Sequence, residues 1–160
     1  MIAAPIHIAG ERLMLDPAGV LHWPARRTLV VADLHLEKGS AFAARGQLLP
    51  PYDTRETLAR FAPLLRRYGP RRVVFLGDSF HDDGGVARLQ AQDRVALVQA
   101  LEGAEVVWVA GNHDPSPPAG LPGSAVAELR DGPFTFRHVP APGAVGEVAG
   151  HALSYVASGV

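Results

Sequence analysis

The sequence predicts an α/β fold, on two observations. Short β-branched or aromatic runs alternate with segments of helical periodicity, giving strand, helix, strand, helix, strand between residue 28 and residue 110. The strand-like runs also end abruptly in Asp, Asn or His, as in Val30-Val31-Ala32-Asp33-Leu34-His35 and Val73-Val74-Phe75-Leu76-Gly77-Asp78. Ligand sites in open α/β sheets form at the carboxyl ends of strands, so these endings mark one edge of a sheet as chemically active.

The elements follow in order. Residues 6 to 31 alternate apolar runs with turn residues (Gly10, Asp16-Pro17, Gly19, Pro24), which predicts a strand meander leading to Asp33. A helix is expected from Asp53, where Asp53 and Glu56 have the spacing of a capping box. Leu58, Phe61, Leu65 and Tyr68 follow at helical intervals, and Gly69-Pro70 stops the run. Pro63 inside it is expected to kink or break that helix. A strand over 72–77 comes next. A second helix is predicted from Val86 to Leu101, with Leu89, Val95, Leu97, Val98 and Leu101 as its apolar face and Gly103 as its stop. The strand 105–110 ends in Gly111-Asn112-His113-Asp114. From Pro115 the chain becomes rich in Pro, Gly and Ala, with short strands expected at 133–138 and 146–150, before and at His138 and His151.

Composition narrows the class. At 160 residues the chain reads as one domain over 1–160, able to bury about 70% of its unfolded surface. The hydrophobic fraction of 48% and charged fraction of 19% describe a globular chain, not a disordered one. A net charge of −1 argues against polyanion binding by bulk charge. The pairs Arg26-Arg27, Arg66-Arg67 and Arg71-Arg72 either form a local basic rim or are solvated ends of elements. There is no cysteine, which removes thiol nucleophiles and thiolate metal sites and fits a reducing cytoplasm. The first residues hold no long apolar segment, so neither a signal peptide nor a membrane span is expected.

Five of the seven histidines (His35, His81, His113, His138, His151) lie in or beside the strand-end motifs, with Asp33, Asp78, Asn112 and Asp114. A lone histidine on a core strand is usually a satisfied buried residue, and that reading is given to His7 and His22. It suits the clustered ones poorly. Imidazole, carboxylate and amide oxygen together make a mixed N/O site for divalent first-row metals.

The series D-x-H, G-D, G-N-H-D, H, G-H resembles that of the calcineurin-like metallophosphoesterases. The stretches Asp33-Leu34-His35-Leu36-Glu37-Lys38-Gly39 and Gly77-Asp78-Ser79-Phe80-His81 are similar to one branch, the bacterial ligase-associated DNA-damage-response phosphoesterases, described as endonucleases. The resemblance runs from about Leu13 to His151. It implies a sandwich of two mixed β-sheets flanked by helices. It also implies two divalent ions, with manganese foremost and iron, zinc or nickel as alternatives. Asp33 and His35 would hold the first ion, Asp78 would bridge, and Asn112, His138 and His151 would complete the second. Two ions about 3.5–4 Å apart can share and deprotonate a water near neutral pH. A bridging group must be an anion with two oxygens, which suits Asp78.

By the same resemblance His113 would meet the phosphate and protonate the leaving oxygen, a task matched to the imidazole pKa. Asp114 either accepts a bond from His113 and fixes its tautomer, or caps the turn before Pro115. His81 and Lys38 are candidates for the substrate face; Lys38 also reads as a solvated surface lysine.

The family ends its series with Gly-His-x-His, whereas Gly150-His151 is followed here by Ala152 and Leu153. Leucine binds no metal, so the first ion is expected to keep only Asp33, His35 and Asp78, and the sandwich is expected to be incomplete at its C-terminal side. Three readings result. The first is a metal-dependent DNA phosphodiesterase in the cytoplasm, with a ligase or helicase as partners and no membrane. The second keeps the chemistry on small phosphoesters or nucleotides. The third is an inactive metal-binding or docking remnant.

Overall fold

The structure, a computed structural model, describes residues 2–141 and 147–149. His151 and Leu153 lie outside them, as does most of the stretch joining the last two strands.

The expected meander is an antiparallel ribbon of β1 (Ala4–Ile8), β2 (Glu11–Asp16), β3 (Val20–Trp23) and β4 (Thr28–Val31). From β4 the sheet continues in parallel through β5 (Arg72–Leu76), β6 (Glu105–Val109) and β7 (Ser124–Val126), seven strands in sequence order. A second sheet holds β8 (Leu129–Asp131), β9 (Phe134–Arg137) and β10 (Glu147–Ala149). There β8 and β9 are antiparallel, and β9 and β10 are parallel. Both sheets are therefore mixed, and helices flank the larger one.

The continuous apolar runs of β4 to β6 are explained by burial on both faces. Leu29, Val31, Val73, Phe75, Val106 and Trp108 pack toward the helices, with Leu58, Phe61, Leu97 and Leu101. Val30, Val74, Leu76, Val107 and Val109 point the other way, into a second core with Trp23, Phe134, Phe136 and Val148. Phe75 and Trp108 stack at 4.0 Å. Each strand is thus gripped from two sides, and its carboxyl end is held in place.

The helices depart from expectation in three places. Helix α1 (Lys38–Ala44) was not predicted, because it is short and carries no apolar period. In α2 (Asp53–Tyr68) Tyr52, not Asp53, is the N-cap, and the Asp53 carboxylate instead accepts from the Gly39 N–H at 3.2 Å. Pro63 neither breaks α2 nor ends it. It sits on the exposed face, and burial of Phe61, Leu64 and Leu65 outweighs the roughly 3 kcal/mol that an interior proline costs. The helix expected over 86–101 is two: α3 (Gly85–Arg88) and α4 (Ala91–Ala100). Leu89 and Gln90 between them are extended, and Leu89 turns inward there. Val95 and Val98 consequently face solvent, and Leu97 and Leu101 carry the contact. The stop at Gly69 is as expected: a left-handed cap at φ 49°, its N–H on the Leu65 carbonyl.

The arginine pairs lie at the other end of the parallel strands from the strand-end motifs, and one arginine of each pair meets an acid. Arg26 and Arg72 meet Asp131, Arg72 also meets Glu105, and Arg67 meets Asp16. They form no rim around those motifs. His22 packs on the Tyr68 ring, half-buried, but His7 is exposed on β1 rather than buried.

Asp16 ties the ribbon to α2. It is buried and accepts from the Ala18 N–H (2.9 Å), the Tyr68 hydroxyl (2.5 Å) and Arg67 (3.1 Å). Burial alone would raise its pKa, but the Tyr68 hydroxyl, the Ala18 N–H and the Arg67 charge together hold it below the ordinary value. A carboxylate with a folded pKa below its unfolded one stabilises fully above the unfolded value, about 3.9, and loses that as pH falls through the folded one. Asp16→Asn should therefore cost about 1–3 kcal/mol at neutral pH and progressively less as the solution is acidified. Urea denaturation at several pH values tests this; a deficit independent of pH would refute it.

Candidate metal centre

Because β4, β5 and β6 are parallel, their carboxyl ends share one edge, and Asp33, Asp78 and Asn112 lie just past them. His138 follows β9 and enters from the second sheet. Three of these residues hold left-handed backbone: Asp33 at φ 52°, His35 at 45° and Asp78 at 49°. Such conformations cost non-glycine residues roughly 1–3 kcal/mol each and persist only where the surroundings impose them. Here the two loops impose them on each other. The N–H groups of Asp33, His35 and Leu36 donate to the carbonyls of Gly77 (3.2 Å), Asp78 (3.0 Å) and Ser79 (2.9 Å), and the His81 N–H returns to Leu36 (2.9 Å).

A second brace comes from α2. Glu37, also left-handed at φ 64°, donates its N–H to the Thr54 hydroxyl (2.8 Å), which donates to the Glu37 carboxylate (2.9 Å), all buried. The loop carrying Asp33 and His35 is thus clamped at both ends.

Ligand atoms of Asp33, His35 and Asp78 lie within 4.8 Å of one another, and Asp33 Oδ2 is buried without a hydrogen-bond partner. One oxygen of Asp78, Oδ1, accepts the His113 N–H at 2.9 Å. The other, Oδ2, sits between His35 Nε2 (3.9 Å) and His138 Nε2 (3.3 Å). A carboxylate oxygen between two imidazoles is the geometry a bridging ligand needs.

His138 supplies the sharper test. Its Nδ1 lies 3.0 Å from the Leu76 carbonyl, which can only accept, so Nδ1 carries the proton. In the neutral ring, Nε2 then presents a lone pair. That lone pair faces Asn112 Oδ1 at 2.8 Å and Asp78 Oδ2 at 3.3 Å. Three electron-pair donors converging on one point are a set that a divalent cation would hold together. The Leu76 contact is the kind of outer bond that orients metal-ligating histidines. The residues present fit divalent cations: Asp33, His35 and Asp78 on one side, and Asp78, Asn112 and His138 on the other.

Asp114 lies beneath. Its partners are neither of the two the sequence left open, the His113 ring and the turn before Pro115, but three backbone groups: the N–H of Asp78 (2.9 Å) to Oδ1, and those of Ser79 (2.8 Å) and Phe80 (3.0 Å) to Oδ2. Burial first, and the Asp78 charge second, push its pKa up to about 6 against the pull of these bonds. It is a positioning residue for the Asp78 loop. Gly77 and Gly111 make that packing possible. A Cβ on Gly77 would meet the His138 ring, and one on Gly111 would meet the Asp78 backbone nitrogen and the carboxylates of Asp78 and Asp114.

The open face is a cluster of imidazoles. His35, His81 and His113 have ring centroids 5.4 to 5.7 Å apart, and Phe42 packs on His81 at 5.6 Å. Burial lowers the pKa of His81, and the charges of His113 and of exposed Lys38 lower it further. Burial also lowers that of His35, against the pull of Asp78 and Asp33. His113 is exposed, open to a substrate.

The structure therefore gathers nine of the sequence candidates (Asp33, His35, Lys38, Asp78, His81, Asn112, His113, Asp114, His138), while His151 falls outside the described residues. Sequence reasoning missed the packing role of Gly77 and Gly111, although each immediately precedes a ligand, and it missed the Glu37–Thr54 clamp.

A two-sheet α/β sandwich with carboxylate, amide and imidazole ligands on its strand ends defines a class, and comparison with known proteins gives it a name. The family model of calcineurin-like phosphoesterases matches residues 26–154, and the chain belongs to that family. Among solved structures it is similar to the nuclease MPE of Pseudomonas putida. The TM-score is 0.75 at 32% identity, over 92% of this chain and 72% of that one. No curated protein sequence matches it.

Proposed function

We propose that this phosphoesterase hydrolyses phosphodiester bonds in DNA. The observation that carries the metal-dependent reading is the convergence of Asp78 Oδ2, Asn112 Oδ1 and His138 Nε2 on one point, with Asp33 and His35 beside it. Likeness to a protein described as a nuclease supports the choice of a diester. Bound divalent ions, manganese foremost, would supply a nucleophile at neutral pH and neutralise charge on the phosphate. Asp33, His35, Asp78, Asn112 and His138 hold that charge in place. His113, exposed above Asp78, donates a proton to the departing oxygen. His81 and Lys38 orient the phosphate, and Asp114 keeps the Asp78 loop from relaxing.

Action on small phosphoesters is the second reading. It is favoured by the net charge of −1 and by the commitment of Arg26, Arg67 and Arg72 to acids away from the site. Among the described residues no helix is long and apolar enough to cross a membrane.

The deciding assay compares bis(p-nitrophenyl) phosphate, p-nitrophenyl phosphate and plasmid DNA in Mn2+, Zn2+, Ni2+ and Fe2+, with a chelator control. Turnover of the diester and nicking of DNA in Mn2+, lost with chelator, is the expected result. Monoester turnover alone would replace DNA with small phosphoesters. No turnover with any metal would sink the enzymatic reading.

A further inference from the structure

A phosphodiester held at this centre has two ester arms. One leaves past His113, on the face made by His35, His81 and His113. The other leaves on a different side, and a cavity of about 220 Å3 shares Asp33 with the centre and is open to it. Buried Val20, Val31, Phe61 and Leu64 line its apolar part, and half-buried Thr57 and exposed Arg60 lie at its edge. The volume is below the roughly 300–1,000 Å3 of a pocket for a drug-sized ligand, so it suits a single nucleoside-sized group and not a longer segment.

Arg60 is the cationic residue of the cavity, opposite in sign to Asp33 in its wall. Unlike Arg67, Arg72 and Arg88, which form ion pairs of 3.1 Å or less with carboxylates elsewhere in the fold, Arg60 touches only its own helix, and loosely. Its contacts are the Glu56 carbonyl at 3.4 Å and the Glu56 carboxylate at 4.0 Å. An exposed pair of that length contributes little, so the guanidinium is available to another anion.

We infer that this cavity is a subsite for the nucleoside next to the scissile phosphate, with Arg60 binding the following phosphate of a nucleic-acid strand. This rests on the diesterase reading above and deepens it. An apolar floor takes a base or sugar in any sequence, and a guanidinium fork matches a phosphate, so the subsite confers chain-length preference without base preference. A small diester lacking a second phosphate gains nothing from Arg60.

The test measures KM and kcat for a short single-stranded oligodeoxynucleotide and for bis(p-nitrophenyl) phosphate. The proteins are wild type, Arg60→Ala, and Thr57→Met, which fills the cavity from one turn earlier on α2. Both variants should raise the oligonucleotide KM about 5-fold with kcat and the small-diester parameters unchanged. Arg60→Ala should also flatten the log–log salt dependence by about one unit for the lost phosphate contact. Equal oligonucleotide KM in Arg60→Ala and wild type overturns the subsite. So does a loss of the same size on both substrates, which would mean a general disturbance of the centre. Failure of the function reading looks different, because it shows in the wild type: turnover of the small diester with none of the oligonucleotide removes the DNA substrate, and the subsite with it.

Discussion

Asp78→Asn should lose more than about 10^3-fold in kcat/KM, beyond the 10^2–10^3 that deletion of one transition-state donor costs elsewhere. The substitution keeps the shape, and the amide oxygen can still accept the His113 N–H that now reaches Oδ1. What it removes is the anion between His35 and His138, at 3.9 and 3.3 Å from their Nε2 atoms. It also replaces Oδ2 with an NH2 group that satisfies the His138 lone pair directly. The metal-free variant should therefore be as stable as wild type or more so. Wild type should gain about 2.7 kcal/mol when a divalent ion is present at 100 times its Kd, and the variant should gain far less. Calorimetry with and without Mn2+ reads this separately from activity. An Asp78→Asn protein that keeps both the metal-induced rise in Tm and its turnover would refute the bridging role.

Gly111→Ala is the second large effect, and it acts through sterics alone. The new methyl group would fall on the Asp78 backbone nitrogen and on two carboxylate oxygens, none of which is the free end of a flexible chain. Overpacking of this kind typically costs about 1–3 kcal/mol. Relief would require the Asp78 loop to move away from Asp114, and a displacement near 1 Å in such a centre costs roughly 10^2-fold in rate. Gly103→Ala is the control, since a Cβ there meets nothing within 4 Å. It should lower stability by about 1–2 kcal/mol, through its φ of 81°, and leave catalysis alone. If Gly111→Ala behaved like Gly103→Ala, the close approach would not matter to function.

The parts of this molecule legible in its sequence are those where one chemistry dominates. Strands β4, β5 and β6 are covered on both faces, so they read as unbroken apolar runs, and each polar residue that ends one stands out. Strands β7 and β8 are three residues each with none of them buried, and Ser124-Ala125-Val126 carries no alternation to find. The break at Leu89-Gln90 was invisible because both residues suit a helix, and only the inward turn of Leu89 decides otherwise. The ligand residues were legible from their order. The bonds that aim them were not: Glu37 and Thr54 are 17 residues apart, and Asp114 reaches backbone groups that exist as a set only once the 78–80 loop has formed.

One consequence follows from where His138 comes from. Asp33, His35, Asp78 and Asn112 belong to the seven-stranded sheet, but His138 belongs to the three-stranded one and crosses to the Leu76 carbonyl. The centre is therefore a latch between two layers as well as a place of chemistry. A slip of one sheet over the other would part His138 from Asp78 and Asn112, which it now meets at 3.3 and 2.8 Å. Metal occupancy would then act as a gauge of layer alignment, and a chain still assembling its second sheet carries no complete centre.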